Sequence, residues 1–323
     1  MIKNFLKNHH IHQKVVPYLD SFFIYNPTLF FTIWVMISMG MYLSHRNILM
    51  NPQWITFDIT LRIISLFISL TFLIGATLIK EQLIFIDLDS KKNKKTSLIK
   101  FVNKQRATNI LKFSIIIGGC ILLFTNIYNI IFGILTYLVF NYYFTNKHIV
   151  SRKYYFSYML VFFISLLLIL NGYTIVLSEG NYFFSLADSF SSGTFLSMFF
   201  YALVGVSIFI IIEILESGNN QMIFRLFANF IMLLIFIFSI YSNDPLLSVL
   251  SICCLPFLLY ALFRNLNKDL VRSVRYPIFI CNFFIFTIYP YISIPLILIF
   301  YTSKYYYWHR FDIHFPTFLV EHD

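Results

Sequence analysis

Charge is what this chain has little of. Asp, Glu, Lys and Arg make up 12% of its 323 residues while 59% are hydrophobic, against about 25% charged in an ordinary soluble domain. Most of the chain therefore cannot be solvated by water, which excludes a soluble globular fold. Acidic residues are scarcer than basic ones, 14 against 24, so the net charge is +10. Cysteine is limited to Cys120, Cys253, Cys254 and Cys281. All four lie in apolar stretches without paired metal spacing, so they give neither a zinc site nor a disulfide framework and read as small core residues. A short basic start followed by a brief apolar run and a small-residue cleavage site is also lacking; Met1 to Asn26 is polar and reads as a retained tail. With no low-complexity linker, soluble domain or strict repeat, the chain reads as one helical bundle.

What is present is a series of long apolar runs. At roughly 17–25 residues per membrane-spanning helix, nine candidates appear, at about 27–45, 58–79, 112–126, 128–145, 155–177, 192–215, 222–242, 245–263 and 277–303. The expected fold is all-α, a polytopic membrane bundle. Residues 1–26 form an N-terminal tail, 27–303 the nine-helix domain and 304–323 a C-terminal tail. Lys112 to Phe144 as one helix would be about 50 Å long, too long for a bilayer of roughly 30 Å, so a tight hairpin is expected around Asn126. Lys and Arg gather in Lys80–Lys112, Lys147–Lys153 and Arg264–Arg275, which places those loops and the N-terminal tail on the cytoplasmic face. An even number of spans separates each pair of basic loops, as that requires. The ninth span should leave the C-terminus outside, but Lys304, His309, Arg310 and His314 are basic for an outer tail, and the alternative is a ninth span that breaks at Pro290 and Pro295. The expected location is a bacterial cytoplasmic (inner) membrane. The basic residues flank spans instead of forming a soluble domain, so the partners are membrane lipids or anionic ligands and not nucleic acid.

The acidic residues that do occur cluster at two span ends. The second run ends in Lys80-Glu81-Gln82, Asp87 and Asp89 before Lys91-Lys92-Asn93-Lys94-Lys95; the sixth ends in Ile210-Ile211-Ile212-Glu213 and then Glu216. A carboxylate beside an apolar run is costly unless it pairs, binds a cation or faces a water-filled cavity. On a helix Gln82, Phe85 and Asp89 share a face with Glu81 next to it, and Glu213 and Glu216 are a turn apart. Carboxylates and amides from two helix ends are hard oxygen donors of the type Mg²⁺ takes, with its remaining positions left for phosphate. Lys92, Lys147, Arg152 and Lys153 would neutralise a diphosphate leaving group. The plain alternative is that Glu81, Asp87 and Asp89 pair with neighbours Lys80, Lys91 and Lys92 as solvated charges.

These residues resemble the motifs of the UbiA-type intramembrane prenyltransferases, nine-helix proteins built around a central cavity. The family's first aspartate-rich motif is similar to Glu81-Gln82, Phe85 and Asp89, and its second would begin at Glu213. Tyr142-Tyr143 with Lys147 and Arg152-Lys153 resembles the aromatic-then-basic stretch after the fourth helix, and Asn171-Gly172 lies where a fifth-helix glycine is often found. Phe85 stands where the family has Asp, Glu81 replaces Asn, and Ser217 stands where the second motif closes. The resemblance implies transfer of a polyprenyl group from its diphosphate to a lipophilic, aromatic acceptor. Asp89 and Glu213 would be catalytic, and Glu81, Gln82, Asp87, Asp89, Glu213 and Glu216 would hold Mg²⁺. Two alternatives stand beside it: a non-catalytic isoprenoid-binding scaffold of the same fold, suggested by Phe85 and Ser217, and a transporter of an anionic solute.

Overall fold

The structure, a computed structural model, describes residues 10–48, 60–88, 102–150, 153–177, 191–217, 222–264 and 267–311, and these contain no strand. The helices are α1 (His10–Phe23), α2 (Phe30–Ile48), α3 (Leu61–Leu88), α4 (Lys104–Leu122), α5 (Ile127–Thr145), the single turn α6 (Lys147–Val150), α7 (Tyr154–Leu177), α8 (Ser192–Ser217), α9 (Met222–Tyr241), α10 (Pro245–Phe263), α11 (Asn267–Ile288) and α12 (Pro290–Phe311). Among the described residues eight helices, α2, α3, α5 and α7–α11, are long and apolar enough to cross a membrane. Their surfaces are reversed relative to a soluble bundle. On α9, Ile223, Phe230, Ile237 and Tyr241 are exposed while Ala228, Met232, Ile235 and Ser239 are buried. Hydrocarbon selects this pattern: nothing drives Phe or Ile inward, while small residues allow close helix approach and polar groups find partners inside. This is an integral, multi-pass membrane protein.

The expected hairpin is where the length argument placed it. Asn126 caps α5, its side chain accepting from the Asn129 N–H at 2.8 Å. It also donates to the Thr174 carbonyl at 3.1 Å, which ties the turn to α7. Asn129 in turn donates to the Asn171 carbonyl at 2.7 Å, and Asn171 to Thr136 at 3.1 Å. These buried amides satisfy one another, so they carry little cost in an apolar setting. The helix before the hairpin starts at Lys104, eight residues earlier than the apolar run suggests, because Asn103 caps it by accepting from the Gln105 N–H. Two glycines set the main crossing. A methyl group at Gly172 of α7 would collide with the Ile37 carbonyl of α2, and one at Gly40 of α2 with the Ile169 carbonyl of α7.

Three expectations need correction. Residues counted as a polar tail form α1, which packs back on the bundle. The ninth span is not one continuous helix, and of the two alternatives the break holds, at Pro290. It begins at Asn267 and ends at Ile288, and α12 starts afresh at Pro290, where a missing N–H and fixed φ suit a first helical position. Third, α12 returns across the bundle. Beside its start, the Tyr289 hydroxyl lies 3.1 Å from His45 Nδ1 at the far end of α2. Near its other end Arg310 Nη2 donates to Asp20 Oδ2 of α1 at 2.6 Å, and the Tyr306 hydroxyl to Asp20 Oδ1 at 2.7 Å. Twenty-two residues rise about 33 Å, a full bilayer core. Lys304 and Arg310 thus stand on the face of the basic loops, where such residues belong, and the C-terminal end of α12 lies on the same side as α1. Near this end Tyr306 and Tyr307 are buried, Tyr306 stacking on Phe23 of α1 with centroids 4.0 Å apart.

The opposite face is fixed by one carboxylate. Asp244 caps α10 by accepting from the Leu247 N–H, and also accepts from the Tyr201 hydroxyl of α8 at 3.0 Å and from Arg46 of α2 at 2.5 Å. Around the bundle, α2 packs on α7, α7 on α8, α8 on α9 and α11, α9 on α10, α10 on α11 and α11 on α2; α3 packs on α4 and α5, and α5 on α7. Of the cysteines, Cys254 and Cys281 are buried as expected, Cys253 is half-buried, and Cys120 faces outward.

Candidate functional site

The end of α3 is held from two sides. On one, Lys80 Nζ donates to Asn141 Oδ1 of α5 at 2.9 Å, and Lys147 Nζ lies 3.6 Å from Glu81 Oε1. Glu81 is thus paired with the loop after α5 across 66 positions of sequence, and the amine of its neighbour Lys80 goes elsewhere. The other side is covered by the residues linking α1 to α2. Tyr25 lies over Gly75, where a methyl group would overlap its ring, and donates to or accepts from Ser114 of α4 at 2.5 Å. Ile24 packs on Ile79. One turn further along, Gln82 Nε2 donates to the Ile24 carbonyl at 3.1 Å. That bond fixes the amide, so Oε1 is the end left over; it is buried and accepts no hydrogen bond among the described residues.

The end of α8 approaches the same face through α5 and α7. Phe209 meets Tyr143 of α5 edge to face, centroids 6.1 Å apart. Glu213 is one turn beyond Phe209 and Lys147 one turn beyond Tyr143, and both helices run towards the basic face, so Glu213 and the Glu81–Lys147 pair sit at similar depth. Glu213 is 4% exposed. The Tyr158 hydroxyl of α7 is buried and makes no hydrogen bond among the described residues. Phe224 of α9 packs against Tyr154 and Tyr158, and Arg225, 2% exposed, donates to the Ala261 carbonyl of α10 at 3.0 Å.

Several expected residues fall elsewhere. Asp89, Lys92 and Arg152 lie outside the described residues, as do the side chains of Phe85, Asp87 and Glu216. Lys153 is exposed just before α7. Among the described residues, no three His, Cys, Asp or Glu side chains gather as a metal centre. What is present fits a hard cation by chemistry: two carboxylates, Glu81 and Glu213, and the unpartnered carboxamide oxygen of Gln82. Asn141, Tyr158 and the Ile24 carbonyl were not anticipated. No periodicity or charge pattern marks them, since each acquires its role from a contact with another helix.

No family model matches the chain, and no curated protein matches it. Among solved structures it is similar to a digeranylgeranylglyceryl phosphate synthase that works in membranes. The TM-score is 0.57 at 14% identity, covering 84% of this chain and 97% of that one. The chain therefore shares the fold of that membrane synthase.

Proposed function

We propose that the chain is a divergent UbiA-type prenyltransferase, moving a polyprenyl group from its diphosphate to a lipophilic acceptor within the membrane. The observation that carries this reading is Glu213, a buried carboxylate that follows five consecutive apolar residues yet stands level with the Glu81–Lys147 pair. An ionisable group within an apolar span is by default a functional-site candidate, and a carboxylate level with a second carboxylate and a lysine offers hard oxygen donors of the kind that hold Mg²⁺ on a diphosphate. Glu213 with Glu81 and Gln82, joined by Asp87, Asp89 and Glu216, would hold Mg²⁺. Bound there, Mg²⁺ would stabilise charge on the departing diphosphate. Lys147, with Lys92, Arg152 and Lys153, binds the phosphate oxygens, while Tyr143, Phe209 and Tyr158 form an apolar and aromatic wall that excludes water from the allylic carbon. The acceptor is a quinone-precursor aromatic or, by analogy with the neighbour's name, a glyceryl phosphate lipid.

The test is prenyl transfer by purified protein offered both acceptor classes. Glu213→Ala and Asp89→Ala should each lower kcat/KM by about 10²-fold or more, the scale of losing a charge-stabilising group. Unchanged transfer in both variants removes the assignment. A second reading has its own observation: Phe85 and Ser217 reduce the donor set and Lys147 already neutralises Glu81, as in a scaffold that binds isoprenoids without turning them over. It requires isoprenoid binding that persists in EDTA with no pyrophosphate released.

A further inference from the structure

The returning helix α12 has no counterpart in a nine-helix plan, and its contacts lead directly to the candidate site. Arg310 grips Asp20 with two hydrogen bonds, Nε to Oδ1 at 3.1 Å and Nη2 to Oδ2 at 2.6 Å, and Tyr306 adds a third at 2.7 Å. Asp20 is 3% exposed, so its charge depends on these partners. Its backbone carbonyl accepts from the Ile24 N–H at 3.3 Å, closing the last turn of α1. The Ile24 carbonyl then accepts from Gln82 Nε2. Stacking of Phe23 on Tyr306 and packing of Ile24 on Ile79 hold the turn on both sides.

We infer that α12 is a strap that positions the first motif, with Asp20 as a positioning residue that acts through the Ile24 carbonyl to orient the Gln82 amide, so that Oε1 serves as a metal-ligand oxygen. A Gln side chain left to rotate presents nitrogen as readily as oxygen, and only oxygen binds Mg²⁺. The donor–acceptor series removes that ambiguity. It also makes the C-terminal helix part of the active arrangement, so that a ligand or modification loosening α12 from α1 would weaken cation binding some distance away. This rests on the metal-site reading of Gln82 proposed above.

The experiment measures Mn²⁺ binding, by electron paramagnetic resonance, to purified full-length protein in the presence of inorganic pyrophosphate. Gln82→Ala should weaken binding about ten-fold and Asp20→Ala three- to ten-fold. The double variant should bind no more weakly than Gln82→Ala, because one effect passes through the other. Exchanging the partners, Asp20→Arg with Arg310→Asp, should recover binding to within about two-fold. Additive losses, or an Asp20→Ala protein that binds as wild type while Gln82→Ala does not, overturn the strap. If Gln82→Ala itself binds as wild type, the metal-site reading fails instead. Should Asp20→Ala not fold, Arg310→Lys, which keeps the charge and loses the fork, should weaken binding about three-fold; no change there also overturns the inference.

Discussion

Glu213 and Asp244 are both buried acids in an apolar protein, and their surroundings separate their roles. Asp244 is fully enclosed, and its oxygens are taken by Arg46, Tyr201 and the Leu247 N–H; it fastens α2 and α8 to each other and caps α10. Removing Arg46 would leave that carboxylate buried beside Tyr201 without its cation. Arg46→Ala should therefore cost about 3 kcal/mol, read as a lowered thermal midpoint in detergent, with Arg46→Lys recovering part of it. Glu213 should behave in the opposite way: Glu213→Gln is expected to keep the thermal midpoint within about 2 °C while abolishing transfer, since the isosteric amide preserves packing and loses the charge. A midpoint that falls as far as in Arg46→Ala would make Glu213 structural. Glu213 was legible in the sequence because a charge after an isoleucine run is conspicuous. The partner of Glu81 was not, because a lysine 66 positions away is one of many until the helices pack. Gln82 was legible as a candidate but not in its orientation, which a backbone carbonyl decides.

Helices α2, α3, α7, α8, α9 and α10 were visible as apolar runs, since length and hydropathy alone define a span. What the runs could not define were ends set by polar contacts. The Asn103 cap draws α4 back to Lys104, and α1 folds because Phe23 and Asp20 find partners on a helix almost 290 positions later. The crossing of α2 and α7 is a property of two elements together. Gly172 stood out only as a glycine following Asn171; its reason is the Ile37 carbonyl, which leaves no room for a side chain. Gly172→Ala and Gly40→Ala should each destabilise by about 1–3 kcal/mol, the usual cost of overpacking, and Gly172→Leu should prevent accumulation of folded protein. Gly119, which has open space around it, supplies the control: Gly119→Ala should leave the thermal midpoint unchanged or raise it slightly. Equal effects at Gly119 and Gly172 would refute the close-crossing explanation.

At the scale of the whole molecule, parity of basic loops predicts a common face for them, and one continuous ninth span would then put the end of the chain on the other side, whereas α12 runs back to the end of the bundle that holds α1. The outer placement follows from a single continuous ninth span, whereas Pro290 starts a separate helix of 22 residues. The basic residues near that end, Lys304 and Arg310, were the signal that something was missing. A reporter fused after Phe311 should therefore show the same side as one fused ahead of α1, and a reporter fused after Ile288 the opposite side; matching results for the fusions after Ile288 and Phe311 would show that α12 does not cross. The wider claim is that the acidic residues at the ends of α3 and α8 serve a cation-held diphosphate. Pyrophosphate release from a polyprenyl diphosphate by the purified protein, with aromatic and glyceryl phosphate acceptors supplied in turn, tests it most directly. The account predicts release that requires Mg²⁺, stops in EDTA and is lost in Glu213→Gln. Retention of the intact polyprenyl diphosphate with no pyrophosphate released by folded protein, whether or not Mg²⁺ is present, would contradict it.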